Sequence, residues 1–290
     1  MPSQPGKPQD HPLFRRFPPQ GTRRTSVGEL PTPYYVYDGH GLLIGGIARA
    51  DAVRGLLRKQ PLHPLLTSAG HALMAIWACD FSEASLGPHL ELQFSFAVTR
   101  HPVPLVESGP LTLLKQIGMQ RSTRLLCHGL WNSSETAVAY NRELLALPAR
   151  LAAGLVKEAG TLSTLRFRDA LSGAPLLDGH LHAPLRQPAR EARALLWQFG
   201  PLRMLRMARR PWLRALMVNP AGELDSYPWD APAYLAGDAL VINFFDPSHD
   251  VLHVQAEPYN TLDFTPTFVE HIRGMKFVYL NPVRAEGDVS

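Results

Sequence analysis

Apolar and polar residues alternate with a period of two along much of the chain. In LELQFSFAVTR (90–100), Leu90, Leu92, Phe94, Phe96 and Val98 fall on one face, the mark of a strand with a buried side. HALMAIWACDF (71–81) is almost continuously apolar and reads as a fully buried strand. PYYVYDGHGLLIGGIA (33–48) is two apolar runs broken at Asp38-Gly39, a dipeptide suited to a hairpin turn. TRLLCHGLWN (123–132) and TAVAYNREL (136–144) read as a strand pair around Asn132-Ser133-Ser134. TLSTLRFRDA (161–170), ALVINFF (239–245), VLHVQAE (251–257) and MKFVYLNPVRAEG (275–287) continue the series. ADAVRGLLRK (50–59) instead places Ala52, Val53, Leu56 and Leu57 on one helical face. Many strands with few helices between them predict a mainly β fold, antiparallel and barrel-like, with peripheral helices.

One stretch departs from this pattern. Residues 184–217 have helical spacing and few β-branched residues, and Gly200-Pro201 and Arg210-Pro211 divide them. Between Arg186 and Arg214 lie eight arginines and one acid, Glu191. The segment reads as a helical arginine-rich insert. Three roles stand for it: a cap on the barrel mouth, a surface that touches anionic lipid, and a nucleic-acid patch. The cap is preferred, with Leu195, Leu196, Leu202, Leu205, Trp212, Leu213 and Leu216 facing inward. Trp197, Phe199 and Trp212 are spaced like core anchors, and the absence of a recognised binding motif leaves no nucleic-acid partner expected.

The 290 residues are 45% hydrophobic and 19% charged, a globular composition with enough chain for a large core. No apolar run reaches membrane-spanning length. The Pro-, Gln- and Arg-rich start has no apolar signal segment and is expected to be a flexible leader over 1–24, followed by one domain over 25–290. A cytoplasmic location is the corresponding expectation. Cys79 and Cys127 have no metal-ligand spacing and read as buried thiols. The net charge of +4 rests on 24 arginines and only five lysines: Lys7, Lys59, Lys115, Lys157 and Lys276. Arginine stays protonated and cannot form an imine, so lysine chemistry is confined to those five.

The order of elements resembles the acetoacetate decarboxylase superfamily. The likeness runs from Tyr34 through ADAVRGLLRKQPLHPLL (50–66) and HALMAIWACDF, is most specific in LLCHGLWNSSETAVAYNRELLALPARL (125–151), and ends in FVYLNPVRAEG (277–287). The resemblance implies a closed, cone-like antiparallel β-barrel around a closed apolar cavity, with no metal or organic cofactor and a tendency to form homo-oligomers. It also implies a cavity lysine that forms a Schiff base with a β-keto acid or related carbonyl substrate. That lysine falls on Ala149 and its cationic neighbour on Arg150. The family's Arg-Glu pair falls on Arg142 and Glu143, with Asn141 before them. The family's cavity glutamate has no clear counterpart, leaving His89 or Glu91 nearby, and its hairpin arginine falls near Gly39 and His40. With alanine at the reactive position, the Schiff-base route is expected to be lost.

The candidate catalytic residues are therefore Arg150, His89, His71 and Glu91, with Arg142, Glu143, Ala149 and His40 as candidate substrate-binding positions. Arg150 is expected to offer a bidentate guanidinium to a carboxylate or enolate. A histidine, from His40, His71, His89 or His128, would move protons, since imidazole titrates near neutrality. Arg142 and Glu143, adjacent in an expected strand, would point to opposite faces. Lys157 and Lys276 are the positions to which an imine-forming amine could have moved. Two functions remain open from the sequence. One is an enzyme acting on a β-keto acid or similar carbonyl or carboxylate compound by an altered mechanism. The other is a non-catalytic small-molecule binding protein. A weaker third is a peripheral membrane module through 184–217.

Overall fold

The computed structural model describes residues 11–202 and 230–282, and residues 213–218 through their backbone. The fold is mainly β, a long sheet curled into a half-barrel with few helices. Its strands are β1 Thr22–Thr25, β2 Gly28–Pro31, β3 Tyr34–Arg49, β4 His63–Pro64, β5 His71–Ala84, β6 His89–Thr99, β7 Arg124–Asn132 and β8 Ala149–Ala159. They continue as β9 Leu162–Asp169, β10 Pro175–His182, β11 Leu213–Val218, β12 Asp230–Ala236, β13 Ala239–Phe244, β14 Val251–Val254, β15 Thr265–Arg273 and β16 Lys276–Tyr279. The helices are α1 Pro12–Arg16, α2 Ala50–Leu56, α3 Thr112–Met119, α4 Glu135–Glu143 and α5 Ala189–Phe199.

Neighbouring strands run β12-β16-β3-β5-β6, and β6 pairs in turn with β7. The sheet forks at β7. The N-terminal half of its free edge pairs with β11 and the C-terminal half with β8, both in parallel. β8, β9, β10 and β14 form the branch, and β15 pairs with both β3 and β13. Both faces of the central strands are buried. On β5, Leu73, Ala75 and Cys79 join one apolar cluster, while Ala72, Met74, Ile76 and Ala78 join the other.

Three sequence expectations are corrected. The break at Asp38-Gly39 is not a turn. β3 runs unbroken for 16 residues, and Asp38 lies at register shifts against β5. Gly39 is needed for close approach: a Cβ there would sit 2.5 Å from the Asp80 carbonyl oxygen. TAVAYNREL is not a strand either. It lies largely in α4, with Ala137, Tyr140 and Asn141 buried at helical spacing, so the period is 3.6 where two was expected. Residues 11–24, expected as part of a flexible leader, are built into the fold. α1 packs Leu13 and Phe14 against Tyr35, Ala236 and Val278.

The arginine-rich insert is also corrected within the described residues. α5 is helical, but Leu213–Val218 is a strand paired with β12. The α5 face that enters the core is Glu191, Leu195 and Phe199, whereas Leu196, Leu202 and Trp197 are exposed, Trp197 by 91%. Leu205, Trp212 and the arginines 203, 206, 209 and 210 lie outside the described residues.

Candidate functional site

Strand register builds the site. Residues facing each other across paired strands point to the same side. One row therefore joins Ile272, Gly41, Cys79, Glu91 and Asn132, and the next joins Glu270, Leu43, Trp77, Gln93, Leu130 and Ala149. Both rows face the concave side. A cavity of about 90 Å³ opens over them, lined by Leu43, Trp77, Cys79, Glu91, Gln93 and Glu270, with Met275, Phe277 and Tyr279 on the β16 side. Gly41 leaves part of this space open, since a Cβ there would lie 2.8 Å from Cys79 Sγ and 3.3 Å from Met275 Sδ.

Two helices roof the cavity, α3 through Leu114, Ile117 and Gly118 and α5 through Phe199. α5 is anchored on the β13 edge. The Gln187 side chain, just before the helix, donates to the Ile242 carbonyl at 2.7 Å and accepts from the Ile242 N–H at 2.9 Å. The Phe244 N–H donates to Glu191 Oε1 at 3.4 Å.

The wall is apolar apart from a few polar groups. Along β6 the inward positions are His89, Glu91, Gln93 and Ser95, of which His89, Gln93 and Ser95 are buried and Glu91 partly so. Asn132 Nδ2 donates to Glu91 Oε2 at 3.0 Å, and Asn141 Nδ2, on α4, donates to Asn132 Oδ1 at 2.9 Å. The second bond fixes the orientation of the Asn132 amide, so that its NH₂ faces the carboxyl. Burial pushes the Glu91 carboxyl up to about 7, with the Asn132 hydrogen bond opposing the shift. Glu270 is likewise pushed up to about 7 by burial, and no donor reaches its carboxyl among the described residues. Trp77 Nε1 and the Tyr279 hydroxyl are buried without hydrogen-bond partners among the described residues. Burial raises Tyr279 and Cys79 well above their ordinary values, with Glu91 adding to both shifts. No basic side chain lines the cavity among the described residues.

The expected site residues are distributed as follows. Glu91 lines the cavity. His89 stands behind it: Nδ1 donates to the Gly87 carbonyl at 2.8 Å, so Nε2 accepts from the Tyr34 hydroxyl at 2.9 Å, and burial holds this ring below its usual pKa. Both His89 nitrogens are thus occupied. Ala149 is fully buried in the apolar cluster around the cavity. Arg150 does not face inward as expected. It follows Ala149 in β8, so the alternation turns it out, and its guanidinium lies exposed 5.8 Å from the Trp131 ring centroid. His71, at the end of β5, is exposed. His40 shares the face of Leu42 and Ile44, opposite Gly41 and Leu43.

Arg142 and Glu143 are consecutive on the last turn of α4, both exposed, instead of lying on opposite faces of a strand. Arg142 Nε donates to the Ala149 carbonyl, and Glu143 accepts from the Ser26 backbone N–H and hydroxyl. They tie α4 to β8 and to the β1–β2 hairpin. The fourth histidine, His128, bonds the Tyr259 hydroxyl through Nδ1 at 2.8 Å. Lys59 and Lys157 are exposed, Lys115 pairs with Glu107, and Lys276 pairs with Asp238. None of these four lines the cavity. Glu270, Gln93, Tyr279, Trp77 and Asn132 were not singled out from the sequence. The signal available for Gln93 was the polar half of the β6 alternation.

Among the described residues no three His, Cys, Asp or Glu side chains gather as a metal site, and no helix is long and apolar enough to cross a membrane. No protein-family model and no curated protein sequence matches the chain. Solved structures do. Acetoacetate decarboxylase from Legionella pneumophila superposes over 92% of this chain and 91% of its own, with a TM-score of 0.56 at 9% identity. A second acetoacetate decarboxylase structure covers 87% of this chain and 89% of its own, with a TM-score of 0.52 at 14% identity. The likeness is one of fold: the chain adopts the architecture of acetoacetate decarboxylases, as the sequence resemblance implied.

Proposed function

We propose that the chain takes a small carbonyl compound into the apolar cavity and acts on it without an imine-forming lysine. The observation that carries this reading is Glu91, a partly buried carboxyl in the cavity wall held by an amide, on a wall that bears no described lysine. Ala149, in register with Leu130 beside Gln93, supports the loss of the amine that the sequence resemblance places there. The pairing of β7 with both β6 and β11 supports a closed, cone-like barrel behind the cavity. No organic or metal cofactor enters this reading.

Saturation-transfer NMR with acetoacetate, pyruvate, pentane-2,4-dione and cyclopentanone, followed by borohydride treatment and intact-mass measurement, tests it. Binding of at least one carbonyl compound without a reduced covalent adduct is expected. An adduct on Lys115, Lys157 or Lys276 would overturn the imine-free reading, and failure of all four compounds to bind would overturn the carbonyl reading.

A second reading, contact with a membrane surface through 184–217, is favoured by the exposure of Leu185, Leu196, Trp197 and Leu202. Co-sedimentation with anionic vesicles, compared between wild type and Trp197→Ser, decides it. Equal binding by the two proteins, or none by either, removes it.

A further inference from the structure

We propose that Glu91 and Glu270 work as an acid–base pair that moves a proton on an uncharged ketone or enone bound between them. This rests on the carbonyl-cavity reading above and gives it a substrate class and a reaction.

The substrate class follows from charge. A ligand carboxylate would enter an apolar cavity walled by two glutamates and no described basic side chain, so its desolvation would go uncompensated. Arg150, the cation expected from the sequence to meet such a carboxylate, is on the other face of β8. A neutral carbonyl compound avoids this cost, and its oxygen supplies the acceptor that the Tyr279 hydroxyl and Trp77 N–H lack among the described residues.

The two carboxyls differ in a way that assigns their roles. Glu91 receives a hydrogen bond from Asn132, which favours its ionised form, whereas Glu270 receives none among the described residues and favours its neutral form. Burial places both near neutrality, where one proton shared between two groups gives a base and an acid together. The ionised Glu91 takes the proton from the carbon next to the carbonyl. The C–H electron pair becomes the enol C=C bond, the carbonyl π pair moves to oxygen, and Glu270 donates its proton there. In the return step the enol O–H gives its proton back to Glu270, the C=O bond re-forms, and Glu91 delivers a proton to carbon. After Glu91 has exchanged its proton with solvent, delivery to the same carbon exchanges the proton, and delivery to the far end of an enone shifts the double bond. Atoms and electrons balance without an oxidant, reductant or cofactor. Tyr279 and Cys79, the other titratable groups on the described wall, stay protonated because burial raises both, and Tyr279 adds a donor for the developing oxyanion.

The test follows loss of the α-proton signals of cyclopentanone in D₂O by NMR, with saturation transfer from the same samples reporting binding. The proposal expects exchange above the protein-free rate, a bell-shaped pH dependence about neutrality, and at least a tenfold loss of the enhancement in Glu91→Gln and in Glu270→Gln with saturation transfer retained. A bound ketone that exchanges no faster than in buffer overturns the acid–base pair while leaving the carbonyl cavity intact. So does exchange that the folded variants leave unchanged. Absence of saturation transfer overturns both. Should either variant fail to fold by circular dichroism, the wild-type profile decides, since a rate that rises steadily with pH contradicts the pair.

Discussion

Asn132 Nδ2 lies 3.0 Å from Glu91 Oε2, and the Asn132 amide is itself held in place by Asn141. Glu91 thus sits between two opposed influences, burial that raises its pKa and one donor that lowers it. Asn132→Leu should remove the donor and push the Glu91 midpoint above 7, read as its carboxyl ¹³C shift against pH. Asn141→Ala should move it the same way but less, because the freed amide can still donate in part of its orientations.

Stability should depend on pH through the same carboxyls. Glu91 and Glu270 titrate near 7 when folded, against 4.5 as ordinary carboxyls, so the native state binds protons more readily. Their protonated forms favour folding fully below pH 4.5, and that advantage is lost as pH rises through about 7. Each accounts for on the order of 3 kcal/mol across that window. His271 acts in the opposite sense. Burial first, then Arg273, lowers it from 6.5 to about 4, so its neutral form supports folding above 6.5 and that support fades towards 4. Glu91→Gln should raise the denaturation midpoint at pH 8 and flatten the fall in stability between about pH 4.5 and 7, measured by urea unfolding at several pH values. An unchanged slope would contradict the buried titration.

The strands were the most legible part of the sequence, because period-two alternation is a direct consequence of pleated geometry. β5, β6 and β7 stand where the pattern placed them. The turn at Asp38-Gly39 was misread because glycine serves close packing as readily as a turn, and α4 because a short helix over apolar and polar residues mimics a strand. The site was half legible. Its polar positions on β6 alternate with an apolar set that itself packs in a second core, so the conspicuous face, Leu92, Phe94 and Phe96, was the one away from the cavity. Glu270 could not be paired with Glu91 from sequence. They are distant in the chain, and only the register of β15, β3, β5 and β6 brings them to one wall.

Arg150 separates the structural account from the expectation of a carboxylate clamp. It stacks outside against Trp131, so Arg150→Ala should leave carbonyl-ligand affinity within about twofold while costing under about 1 kcal/mol of stability. A tenfold loss of affinity by saturation-transfer titration would place the guanidinium in the site.

The roof depends on Gln187, which satisfies both backbone groups of Ile242. Gln187→Ala leaves them without these partners and should cost about 1–3 kcal/mol in urea unfolding. It should also quicken ligand exchange, because α5 carries Phe199 over the cavity.

The most direct test is a carboxyl ¹³C titration of glutamate-labelled wild-type protein with and without cyclopentanone, the two resonances assigned from Glu91→Gln and Glu270→Gln. Two midpoints near 7, both displaced by the ketone, are the predicted result. Midpoints in the ordinary carboxylate range of about 4.3, or resonances indifferent to the ketone, would contradict the account.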